Sequence, residues 1–182
     1  MSSFALPENR ATGPITFVVI DTGVCDDHPS LVGRIINQID LTGEGATDEN
    51  GHGTAVAAIL ATNIPTSRII SVKAMNARGQ ATVALLNHAI RVAANLLSGR
   101  EGVGVINVSA GRRTPLCKQD CPLCTTARQL WETSNLAVTC AAGNAPGVTY
   151  CPAKSVFSVA TPDEWSAPGD VTVFPPGWTL TT

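Results

Sequence analysis

This 182-residue chain is poor in aromatic residues (4%) and in charge (14%), and its net charge is only −2. Without a basic surplus there is no electrostatic footprint for nucleic acid, and none is expected as a partner. No apolar run approaches the roughly 20 residues of a membrane span, so no membrane partner is expected either. Met1-Ser2-Ser3-Phe4 is not a cationic n-region and no long apolar h-region follows it. The default expectation is therefore a soluble, cytoplasmic chain; secretion stays open, since loss of a prosegment would erase an export signal. What the chain does have is apolar residues, 44% of the total, with Ala, Val and Ile abundant. Such a composition suits a parallel sheet packed beneath helices.

Apolar runs alternate with helical patterns. Strands are expected at 15–20, 69–75, 103–109, 136–142, 156–161 and 171–174. Helices are expected from Thr54 to Ala61, with His52 in the first turn, from Thr82 to Leu97, and over 121–134. In the second helix Val83, Leu86, Ile90, Ala93 and Leu97 recur at spacings of three and four; Gly99 and Gly102 follow as stop signals. The alternation predicts an α/β fold, a doubly wound and mainly parallel sheet with helices on both faces. We divide the chain into an N-terminal extension, 1–13, and a domain, 14–182. Sites in such folds lie at the carboxyl ends of strands. Asp21, Ser109 and Asn144 fall at or just past such ends.

Three short motifs carry chemistry. Val18-Val19-Ile20-Asp21-Thr22-Gly23 ends an apolar run in an acid at a tight turn. A carboxylate there can hold an imidazole in one tautomer and stabilise its charged form; alone, it is as readily a turn-forming Asp. Asn50-Gly51-His52-Gly53-Thr54 sets a histidine between glycines that allow close backbone approach. His28, before a proline, and His88, mid-helix, are weaker candidates. Ala141-Ala142-Gly143-Asn144 places an amide beside small residues, where it can donate to a developing oxyanion.

Acid, then imidazole, then amide is the order of these groups in subtilisin. In that order the three motifs resemble the subtilase family of serine proteases. Further matching segments are Val105 to Gly111, Tyr150-Cys151-Pro152-Ala153 and Ala167-Pro168-Gly169. The resemblance runs from about Pro14 to Gly169. It implies an endopeptidase that hydrolyses peptide bonds through a serine acyl-enzyme. Asp21 is the implied triad acid, His52 the general base and Asn144 the oxyanion donor. Ser109, Ala110 and Gly111 are the implied edge that pairs with an extended peptide or protein substrate. With Ala141, Ala142 and Gly143 they would wall the specificity pocket. No cofactor is required. The family's calcium-ligating Asp after the catalytic acid is Ser30 here, which argues against calcium at that site. Ala55 stands where many relatives carry a second histidine.

The family's Gly-Thr-Ser segment before an apolar helix does not occur in these residues. The expectation is a C-terminally incomplete catalytic domain that is inactive as an isolated chain. Two alternatives stay beside it. One is a pseudoenzyme that binds extended peptides without cutting them. The other is one half of a split protease, completed by a second chain that supplies the serine, or self-associating through its truncated face.

Six cysteines are present. Cys117, Cys121, Cys124 and Cys151 could supply four thiolates for tetrahedral zinc, form two disulfides, or remain reduced. The Cys-x₃-Cys-x₂-Cys spacing also occurs in iron–sulfur enzymes, but too little chain follows for their barrel. Cys25 and Cys140 are expected to be small core residues.

Overall fold

A computed structural model describes residues 13–110, 112–113, 120–134, 136–141, 150–151, 157–159 and 172–173, with backbone only for 112–113 and from 150 onward. Among the described residues, nine strands and three helices run in the order β1 (Ile15–Asp21), β2 (Ile35–Asp40), α1 (His52–Asn63), β3 (Arg68–Lys73), α2 (Val83–Leu97), β4 (Val103–Val108), β5 (Arg112–Arg113), α3 (Pro122–Ser134), β6 (Ala137–Ala141), β7 (Tyr150–Cys151), β8 (Phe157–Val159) and β9 (Thr172–Val173). Seven of the strands form one parallel sheet in the order β2-β3-β1-β4-β6-β8-β9. β5 and β7 form a separate antiparallel pair.

The sheet is buried where the sequence is continuously apolar. Along β1 the side chains alternate between two cores. Val18 and Ile20 join Ile70, Val72, Ile106, Val108, Val138 and Cys140 beneath α2 and α3. Phe17 and Val19 join Ile69 beneath α1. Helices thus cover both faces, which confirms the doubly wound α/β architecture. Each fully buried Ile or Val contributes about 1.5–3 kcal/mol relative to exposure.

α2 packs as its periodicity predicts: Leu86, Ala89, Ile90, Ala93, Ala94 and Leu97 are buried. α3 lies against it, with the Arg91 guanidinium donating to the Thr126 hydroxyl at 3.0 Å. α1 is different. Its buried residues are Gly53, Ala57 and Ala61, one small residue per turn, while Ile59 is 62% exposed. Small side chains let this helix sit close on β1 and β3.

The expected strands and helices are all present, with ends shifted by a few residues. Three features differ, the first being the short antiparallel pair β5 and β7, which lies outside the expected strands. β2 was not foreseen: Ile-Ile-Asn-Gln-Ile-Asp occupies the sheet edge, where half-exposed residues blur the apolar signal. Cys25 is not a core residue. It lies half-exposed past the β1 turn, its thiol donating to Asp27 Oδ1 at 2.8 Å. Cys140 is buried as expected, and burial pushes its thiol well up.

Candidate functional site

Chain order reverses direction at β1. The strands β3 and β2 lie on one side of it and β4, β6, β8 and β9 on the other. The crevice at such a switch point is where α/β sheets hold ligands. Asp21 is the last residue of β1. Its carbonyl accepts from the Ala74 and Met75 N–H groups at 2.9 and 3.1 Å, which anchors the strand end to β3. Ile20 pairs with Val108 and Val108 with Cys140. The next residue along each strand is Asp21, Ser109 and Ala141, so these three stand level at the carboxyl edge.

His52 opens α1 over the same edge. Its Nδ1 lies 2.7 Å from Asp21 Oδ1. A carboxylate can only accept, so the proton of this contact belongs on Nδ1 and the imidazole turns Nε2 outward. The Asp21 side chain is 1% exposed and that of His52 51% exposed. One partner is therefore walled in, while the other faces the solvent from which a substrate would come.

Two glycines make this approach possible. A Cβ at Gly53 would collide with the Gly23 carbonyl and sit 3.0 Å from Asp21 Cβ. Gly23 has φ +108°, and a Cβ there would lie 2.6 Å from the Ala46 carbonyl oxygen.

Burial pushes the Asp21 carboxyl up, opposed by its hydrogen bond and charge interaction with His52 and by the Thr22 N–H at 2.8 Å. Its Oδ2 is buried with no hydrogen-bond partner among the described residues. Such an acid–imidazole pair can orient a general base and stabilise it once protonated.

Of the other expected site residues, Ser109 and Ala110 are half-buried beyond β4, and the Ser109 hydroxyl donates to Asn107 Oδ1 at 3.1 Å. Ala141 ends β6. Gly111, Ala142, Gly143, Asn144 and Cys117 lie outside the described residues, as does the side chain of Cys151. Cys121 is half-buried and Cys124 buried at the start of α3. Among the described residues no group of three His, Cys, Asp or Glu is placed to hold a metal. His88 is exposed on α2, and His28 accepts from the Ser30 N–H at 3.3 Å. A cleft of about 680 Å³ opens at the opposite, amino-terminal end of the sheet, beside Thr16, Val103 and Trp131, and takes no part in this site.

Three residues around the pair carry no motif signal of their own. Asp48 lies four residues before His52 and caps its helix. Thr22 bridges the two loops. Lys73 is fully buried along its stem, with Nζ donating to the Thr47 carbonyl at 2.9 Å. The turn-like run Asp48-Glu49-Asn50-Gly51 was the available signal for Asp48.

A buried acid at the end of a central parallel strand, holding an imidazole at a helix start, is an arrangement that can carry acid–base chemistry. Residues 15–173 match the profile of the subtilase family, peptidase S8, and the chain belongs to this family of subtilisin-like serine proteases. It is 32% identical over 181 residues to a thermophilic serine proteinase of Bacillus sp. (strain AK1), covering 90% of this chain and 42% of the relative. It is 29% identical over 197 residues to subtilisin-like protease 9 of Arthroderma otae, covering 96% of this chain and 48% of the relative. The chain thus spans about half, or slightly less, of the curated relatives it matches. Among solved structures, a cold-adapted subtilisin-like serine proteinase superposes with TM-score 0.74 at 25% identity, covering 93% of this chain and 65% of that one. The prenylagaramide maturation protease PagA superposes with TM-score 0.73 at 26% identity, with the same coverage.

Proposed function

We propose that this chain is the acid- and imidazole-bearing part of a serine endopeptidase domain that hydrolyses peptide bonds through an acyl-enzyme. The 2.7 Å contact between His52 Nδ1 and Asp21 Oδ1 carries the reading. In it, Asp21 orients His52 and stabilises the imidazolium, His52 takes the proton of the attacking serine, and Asn144 donates to the oxyanion. Ser109 to Gly111 pairs with an extended substrate backbone, and Ala141, Ala142 and Gly143 line the pocket. The reading assigns the nucleophile to sequence outside these 182 residues, which contain no Gly-Thr-Ser. No cofactor enters the reaction. Zinc, disulfides or reduced thiols at Cys117, Cys121, Cys124 and Cys151 would be structural, and metal content of protein purified without chelator settles zinc.

Fluorophosphonate labelling tests the reading. The 182-residue chain alone should stay unlabelled, and stoichiometric modification of it would overturn the assignment. A longer chain containing the serine segment should be labelled and should cleave peptides. In that chain Asp21→Asn should lower kcat by about 10⁴, the scale found when the triad acid is removed from other serine proteases. The absence of Gly-Thr-Ser also keeps a second reading, a module that binds extended peptides without cutting them. Peptide binding by the natural protein with no labelling at any length would favour it. Among the described residues no helix is long and apolar enough to cross a membrane. The cytoplasmic expectation gains no support from the relatives.

A further inference from the structure

Asp48 has no part in the acid–base chemistry proposed above, yet five hydrogen bonds converge on its carboxylate. Oδ1 accepts from the Asn50 N–H at 3.0 Å, the Gly51 N–H at 2.8 Å and the Thr22 hydroxyl at 2.8 Å. Oδ2 accepts from the Thr54 N–H at 2.9 Å and the Thr54 hydroxyl at 2.6 Å. Thr22 passes the connection on, its hydroxyl accepting from the Gly53 N–H at 3.0 Å. The backbone on both sides of His52 is therefore tied, directly or through Thr22, to one side chain. That side chain is fastened in turn to the residue next to Asp21.

Helix α1 needs this help. Gly51 stands at its N-cap with φ +92° and offers no side-chain cap. The first turn of a helix leaves its N–H groups without intrahelical acceptors. Asp48 meets that demand from outside the helix, as a negative charge at the positive end of the helix dipole. Partial burial pushes its carboxyl up, but the bonds from Thr54, Gly51 and Thr22 win and hold it down at about 2.

We infer that Asp48, acting through Thr22, is a positioning residue: it clamps the start of α1 to the end of β1 so that His52 Nδ1 meets Asp21 Oδ1. The inference rests on reading Asp21 and His52 as the working pair. The Thr22 bond joins residues 26 apart in sequence, so it fixes tertiary position rather than loop shape. Asp40 supplies the contrast. It accepts from Thr42 and from the Gly45 N–H, all within its own loop, and touches neither Asp21 nor His52. Misplacement of a catalytic group by about 1 Å can cost about 10² in rate, so such a clamp has consequences for chemistry.

The test uses the natural full-length protein with isotope-labelled histidine and follows the low-field proton of the His52–Asp21 hydrogen bond by NMR. Asp48→Asn and Thr22→Val should each speed exchange of that proton with water about 10-fold, as the pair opens more often. Thr22→Ser keeps the hydroxyl and should keep the wild-type rate. Asp40→Asn should lower stability and leave the proton unchanged. If Asp48→Asn does not fold, Thr22→Val carries the test, since it leaves the carboxylate in place. Folded Asp48→Asn or Thr22→Val with a wild-type shift and exchange rate would overturn the inference and leave Asp48 a loop fastener. Absence of the proton in the wild-type chain would instead overturn the Asp21–His52 pairing itself, and the clamp with it.

Discussion

Helices α1 and α2 lie on opposite faces of the sheet and are built on opposite plans. α2 is self-sufficient. The Thr82 hydroxyl caps it by accepting from the Leu85 N–H at 3.1 Å, and its buried residues follow a regular stripe. α1 has no cap of its own, a glycine at its entry and only small residues among those it fully buries. It is placed by contacts from outside: Asp48 and Thr22 at its first turn, and the Gly53 contact with β1. The helix with a structural role carries its instructions locally. The helix that presents His52 borrows them from two distant loops, so its position is set relative to Asp21.

The sharpest way to break this contrast is Gly53→Ala. In an ordinary helix interior that change stabilises by up to about 1 kcal/mol. Here the new methyl collides with the Gly23 carbonyl. We expect a loss of about 3 kcal/mol or more in urea unfolding, on the scale of a severe overpacking. Asp48→Ala comes next. It strips the acceptor from three N–H groups and two hydroxyls, and should cost about 2–4 kcal/mol by the same measurement.

The acid limb of the stability curve gives a smaller effect. Asp48 titrates at about 2 in the folded chain, against 3.8 ordinarily. The unfolded chain therefore binds more protons in that interval, and stability falls as pH drops from about 4 to about 2. Asp48→Asn should flatten this limb by about 1 kcal/mol after allowance for solvent screening, read from unfolding midpoints against pH. Asp21 has the opposite sign. Its carboxyl is raised, so the cost of ionising it enters as pH rises through its folded value. The smallest effect belongs to α2: Thr82→Ala should cost about 0.5–1 kcal/mol, since one cap is lost and the packed stripe remains. A larger loss at Thr82 than at Asp48 would reverse the comparison.

The sequence by itself determined the α/β alternation, because period and apolar content follow from local chemistry. It also determined α2, whose apolar residues recur at helical spacing, although its cap at Thr82 came only with the structure. It marked Asp21 and His52, since an acid closing an apolar strand and a histidine between glycines are local patterns. It did not reveal β2, whose edge position leaves Asn37 and Gln38 free to be polar. Nor did it separate Cys25 from Cys140 by burial, because one lies past a turn and the other in a strand between neighbours. Tertiary structure alone decided that Asp21 and His52, 31 residues apart, meet at 2.7 Å. It alone gave Asp48 and Thr22 their task. A hydrogen bond between distant loops depends on the path of the chain between them, and short sequence patterns do not encode that path.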